Sequence, residues 1–171
     1  VVENFSARAL RSWGLGYEEL CKLKPDIVYV SQAGFGHTGR NSGYNTMGPI
    51  VQALSGLTFT SGLPGVPPAG WGWSYMDNTG GMYAVMCILT ALHHRNSTGE
   101  GQWVDMSQVA AGITLTGPSI LDKTVNGRNT RRDFFPPGNR AVWPGGPLVN
   151  NYRGPNTAPH NAYRTNGGGY N

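Results

Sequence analysis

The sequence has little charge: Asp, Glu, Lys and Arg make up only 13% of its 171 residues, against 39% hydrophobic residues. That balance indicates a chain built around a buried framework. Basic residues outnumber acidic ones by 13 to 9, but apart from Arg131-Arg132 they are dispersed, and no stripe suited to nucleic acid exists. The modest positive balance fits a phosphate-bearing small ligand. Cysteine is scarce. Cys21 and Cys87 lie far apart, the latter in an apolar helical run, which suits free, buried thiols in a reducing cytosol rather than a disulfide framework. No stretch of about 18 uncharged apolar residues is available to span a bilayer, and no signal-peptide pattern is visible. A cytoplasmic chain with no membrane partner and one core is the expectation.

What is abundant is turn chemistry, with 26 Gly and 12 Pro placed around a buried framework. Val1-Val2-Glu3 reads as the tail of a strand already under way, and Gly167-Gly168-Gly169-Tyr170-Asn171 as a turn; further chain is expected on both sides. Ser6 is expected to cap a short helix from Ala7 to Trp13, with Gly14 and Gly16 as left-handed stops. Tyr17 to Lys24 forms a second helix ended by Pro25. The β-branched run Ile27-Val28-Tyr29-Val30-Ser31 reads as a buried parallel strand. Gly34 to Gly43 is then a polar loop at a strand's carboxyl end, where α/β sheets hold ligands. A short helix follows over Met47 to Leu54, then a Pro/Gly loop over Leu63 to Gly72. A long helix runs from about Asn78 to His94. Its apolar residues wrap most of the circumference, which predicts burial all round. Gln102 to Met106 is a strand, and Ser107 caps a helix that Gly117-Pro118 interrupts. Alternating strands and helices indicate an α/β fold. Residues 1–125 are assigned to its main domain, and residues 126–171 to an irregular connection.

Asp77 stands where that long helix opens, in Ser74-Tyr75-Met76-Asp77-Asn78-Thr79-Gly80-Gly81. Free amides and the helix dipole there favour negative charge by roughly 0.3–1 kcal/mol. An aspartate so placed stays ionised at neutral pH, as a nucleophile must. Gly80 and Gly81 are expected to let a ligand approach the backbone, and Trp71, Trp73 and Tyr75 to wall the carboxylate off from water. The plainer reading of Asp77 is a helix N-cap. His93-His94 end the same helix and suit its terminal carbonyls better than a metal, since no Cys or acidic residue stands at ligand spacing. Gly34-Phe35-Gly36-His37-Thr38-Gly39 lacks the Gly-Lys-Ser/Thr ending of a phosphate loop.

The order of motifs resembles the family III CoA transferases, the CaiB/BaiF family. This group includes formyl-CoA and carnitine CoA transferases and related acyl-CoA racemases. The match runs through Val2-Glu3-Asn4-Phe5, Gly14-Leu15-Gly16-Tyr17, Pro25-Asp26-Ile27-Val28-Tyr29-Val30-Ser31 and Gly34-Phe35-Gly36-His37-Thr38-Gly39. It continues through Gly43-Tyr44, Gln52-Ala53-Leu54-Ser55-Gly56-Leu57, Met76-Asp77-Asn78-Thr79-Gly80 and Thr98-Gly99-Glu100-Gly101-Gln102-Trp103-Val104-Asp105. The resemblance implies a Rossmann-like large domain, of which this chain covers an internal fragment, and an interlocked homodimer in the full-length protein. It also implies that Asp77 is the covalent nucleophile. The cycle would pass through an aspartyl-acyl anhydride and an aspartyl-CoA thioester before CoA reaches a second carboxylic acid. Coenzyme A enters as the acyl-CoA co-substrate, with no metal.

By the same resemblance Asn4 and Phe5 contact CoA, and Tyr44 lies near the active site. Arg11 and Gly34 join the cofactor-binding set, although the position that often carries a CoA-contacting Arg falls on Ser12. Racemases of the family carry His where this chain has Tyr44, and a phenol of ordinary pKa is a poor base; transfer is favoured over racemisation with Asp77 as base. A non-catalytic CoA-binding module is the third alternative. His37, seven residues before Tyr44, is read as a surface-loop residue. Asn45 replaces the acidic residue usual after this Tyr, and Gly145-Gly146 or the stretch from Asn139 to His160 is the place for a lid.

Overall fold

The computed structural model describes residues 1–61 and 66–127. The connection and the lid stretch expected beyond residue 127 therefore lie outside the described residues. Three parallel strands form the sheet in the order β1 (Val2–Glu3), β2 (Val28–Ala33), β3 (Gln102–Ser107). Val2 pairs with Val30, and the longer ladder runs from Val28 opposite Gln102 to Ala33 opposite Ser107. The helices are α1 (Ala9–Ser12), α2 (Tyr17–Leu23), α3 (Gly48–Leu54), α4 (Tyr75–Thr98) and α5 (Gln108–Asn126).

Strand alternation sorts the packing. Val28 and Val30 on β2, with Met106 on β3, form one core with Ala84 and Ala91 of α4. The intervening Tyr29 is 3% exposed and meets Tyr17 of α2 edge-on at 6.2 Å. Tyr17 also stacks on Trp103 of β3, which donates to Ser31 Oγ at 3.0 Å. The Tyr29 hydroxyl donates to the Leu15 carbonyl at 3.1 Å, and burial raises its pKa above the ordinary 10.0. A second core, Val51, Leu57 and Met76, joins α3 to the first turn of α4. Gly101 precedes β3 because a Cβ there would come within 2.3 Å of the Asp26 backbone.

Several local expectations change. Helix α1 starts at Ala9 with Arg8 as N-cap, and the Ser6 carbonyl rather than its hydroxyl takes the Ala9 amide. Gly14 is left-handed, at φ 73°, but Gly16 is the extended N-cap of α2. Helix α5 continues through Pro118; the missing donor costs one intrahelical bond without ending the helix. Helix α4 is not buried all round. Met82, Val85, Met86 and Leu89 are 52–68% exposed, because the sheet covers only the side bearing Ala84 and Ala91. Cys21 and Cys87 are free, but half-buried rather than buried. Among the described residues no helix is long and apolar enough to cross a membrane.

Candidate active site

The carboxyl ends of β1 and β2 and the opening turns of α3, α4 and α5 converge on one cleft of about 710 Å³. Its lining includes Asn4, Phe5, Gly34, Tyr44, Gly48, Asp77 and Gln108. Helix starts direct free amides and positive dipole ends toward such a cleft, which suits anionic ligands.

Asp77 does not cap α4. Ser74 is the N-cap, with no side-chain capping bond, and Asp77 is the third helical residue, its own amide donating to the Ser74 carbonyl at 3.0 Å. Its neighbour Met76 is fully buried in the core between α3 and α4. That anchors the turn, so Asp77 projects from it exposed and into the cleft. Asp77 Oδ1 accepts from Gln108 Nε2 at 3.0 Å. Oδ2 faces Gly48 so closely that a Cβ at Gly48 would come within 2.8 Å of it.

Four other residues of the expected site also reach the cleft. Asn4 and Phe5 follow β1, and the Phe5 amide donates to Glu3 Oε2 at 2.8 Å, fixing that turn. The Gly34 carbonyl accepts from Val109 N at 2.9 Å and Ser107 Oγ at 3.0 Å, tying the end of β2 to the start of α5. Tyr44 is 69% exposed on the cleft wall, its ring 6.2 Å from that of Phe35. Arg11 is not brought in. It pairs with Glu18 at 2.7 Å beside a separate, water-sized cavity.

Three expectations about the surroundings are corrected. Trp71, Trp73 and Tyr75 form an edge-to-face cluster with ring separations of 4.4 and 5.5 Å. They do not line the cleft, whose lining beside Asp77 includes Gly48, Ser74 and Gln108. Gly80 admits protein rather than ligand: a Cβ there would come within 2.9 Å of Gln32 Nε2 and 3.0 Å of Gln108 Cγ. His37 is not a surface residue. Its side chain is 9% exposed, with Nε2 at 3.4 Å from the buried Glu3 Oε1, away from the cleft. His94 Nε2 lies 3.6 Å from Glu100 Oε2. The sequence reading missed Gln108, Gln32 and Gly48; the available signal was a glutamine directly after the cap Ser107, at the carboxyl end of a strand.

The sequence profile of CoA-transferase family III matches residues 1–170. The chain belongs to that family. A succinyl-CoA–D-citramalate CoA-transferase of Chloroflexus aurantiacus is 32% identical over 170 residues, covering 99% of this chain and 38% of the relative. An acetyl-CoA:oxalate CoA-transferase of Acetobacter aceti is 33% identical, covering 77% and 34% respectively. A crystal structure of a CaiB/BaiF family protein from Brucella suis superimposes with a TM-score of 0.73 at 31% identity, over 77% of this chain and 35% of that one. The family III chain thus spans a little over a third of the length of these relatives, and its parallel sheet with surrounding helices matches part of the CaiB/BaiF fold.

Proposed function

We propose that the protein carrying this chain transfers coenzyme A from an acyl-CoA donor to a carboxylic acid, with Asp77 as the covalent nucleophile. One observation carries the reading: a carboxylate on the first turn of a 24-residue helix, exposed to the cleft that Asn4, Phe5 and Tyr44 also line. Asp77 attacks the thioester carbonyl and the C–S bond breaks, releasing CoA thiolate and leaving an aspartyl-acyl anhydride. The thiolate then attacks the aspartyl carbonyl, frees the donor's acid and leaves an aspartyl-CoA thioester. The acceptor carboxylate reverses these steps. Dividing the exchange in this way replaces one difficult displacement with easier ones. Asn4 and Phe5 receive the CoA arm, and the Tyr44 phenol donates a hydrogen bond to the acyl group. Two copies interlock in the full-length, cytoplasmic protein.

The test is to incubate the full-length protein with a panel of acyl-CoA esters, trap with hydroxylamine or borohydride, and analyse the Asp77 peptide by mass spectrometry. Modification of Asp77, with turnover abolished in Asp77→Asn, is expected. That variant should lose only roughly 0.3–1 kcal/mol of helix-dipole stabilisation. An unmodified Asp77 together with solvent deuterium at the acyl α-carbon would instead mean racemisation. Neither signal would mean a binding module.

A further inference from the structure

Gln108 lines the cleft although only 8% exposed, and its side-chain amide donates to Asp77 Oδ1 at 3.0 Å. Three features fix it there. Ser107 caps α5, its Oγ accepting from the Ala110 amide at 3.3 Å. The Gly34 carbonyl holds residues on either side of Gln108, Ser107 and Val109. The side chain lies against Gly80, where any Cβ would crowd its Cγ at 3.0 Å. The two Asp77 oxygens are consequently unlike. Oδ1 is bound to a buried donor, whereas Oδ2 lies along the Gly48 wall.

We propose that Gln108 is a further catalytic residue, the donor that stabilises the oxyanion formed on Asp77 Oδ1 while the aspartyl-CoA thioester forms. The proposal rests on the reading of Asp77 as the nucleophile. With Oδ2 bonded to the acyl carbon, Oδ1 becomes the aspartyl carbonyl oxygen of the anhydride. CoA thiolate adds to Cγ, and the π electrons of the Cγ–Oδ1 bond move onto Oδ1, beside the Gln108 amide. Collapse re-forms that double bond, breaks Cγ–Oδ2 and releases the donor's acid as a carboxylate. A fixed donor at the atom where charge develops needs no reorganisation during the step. Gly80 belongs to the same device, because its missing side chain leaves room for the Gln108 stem.

The experiment mixes full-length wild type, Gln108→Ala and Gln108→Glu with an acyl-CoA donor alone. It follows the Asp77–CoA thioester by rapid quench and mass spectrometry, alongside CoA affinity and melting temperature. Gln108→Ala should form the thioester about a hundredfold more slowly, with CoA affinity unchanged. Gln108→Glu keeps the shape but removes the donor when ionised, and its second carboxylate raises the acid limb of the pH–rate profile. It decides the matter should Gln108→Ala fail to fold. Wild-type thioester formation in Gln108→Glu, or in a folded Gln108→Ala, would overturn the proposal and leave Asp77 as nucleophile. Absence of any Asp77 adduct in the wild type would overturn both.

Discussion

Asp105 binds the backbone of Thr38 and its side chain with one oxygen: Oδ2 accepts from the Thr38 amide at 2.8 Å and from Thr38 Oγ1 at 2.6 Å. Its other oxygen accepts from the His37 amide at 2.7 Å. The β3 strand thereby holds the turn after β2, where Gly36 is left-handed at φ 79° and passes against this carboxylate. Bonds to a charged group contribute about 1.5–3 kcal/mol each at most. Because both Thr38 bonds are exposed to water and count for less than the half-buried His37 bond, Asp105→Ala should destabilise the chain by about 2–4 kcal/mol and release the amides of His37 and Thr38 to hydrogen exchange. Asp105→Asn keeps one acceptor oxygen, which can still take both Thr38 bonds while its NH2 turns toward the His37 amide, and should lose somewhat less. Denaturant unfolding with exchange mass spectrometry checks both.

Two glycines predict opposite outcomes. A Cβ at Gly101 would meet backbone atoms of Asp26 and Ile27 at 2.3–2.5 Å, and backbone does not move aside cheaply. Gly101→Ala should cost about 3 kcal/mol or more. Gly81, inside α4, has open space where a Cβ would go, so Gly81→Ala should stabilise by about 0.5–1 kcal/mol. If Gly81→Ala melts higher yet binds acyl-CoA less tightly, ligand occupies that space.

Tyr29 predicts an alkaline limit. Its phenol ionises at higher pH when folded than when unfolded, since burial is the main cause of the raised pKa and Glu3 adds to it. Its contribution is intact below the unfolded value of about 10 and is lost as pH rises through the folded one. Stability should fall on the alkaline side of pH 10, and Tyr29→Phe should flatten that fall. Thermal melts between pH 8 and pH 11 measure it.

The element order and the parallel sheet were legible in the sequence because each rests on a local signal, such as the β-branched run at Val28 or the cap at Ser107. So was the convergence of Asn4, Phe5, Gly34, Tyr44 and Asp77, through motif order. What stayed hidden depends on partners distant in sequence. His37 looked polar and loop-like until Glu3, on another strand, appeared beside it. Gly80 looked like a gap for ligand because nothing local announces that Gln32 and Gln108 fill it. Ser74 is the N-cap of α4, and its residue type with an acidic residue three positions on was the available mark of a start at Tyr75; the pull of Asp77 as a cap candidate hid it.

The bare apolar flank of α4 has a calorimetric consequence. In the isolated 171-residue chain Met82, Val85, Met86 and Leu89 are already 52–68% exposed, so melting it newly hydrates only the rest of their surface. The heat-capacity increment per residue should fall below the usual ~12–15 cal/mol/K. A flatter stability curve follows, with a less pronounced loss of stability on cooling than a fully packed domain of this size would show.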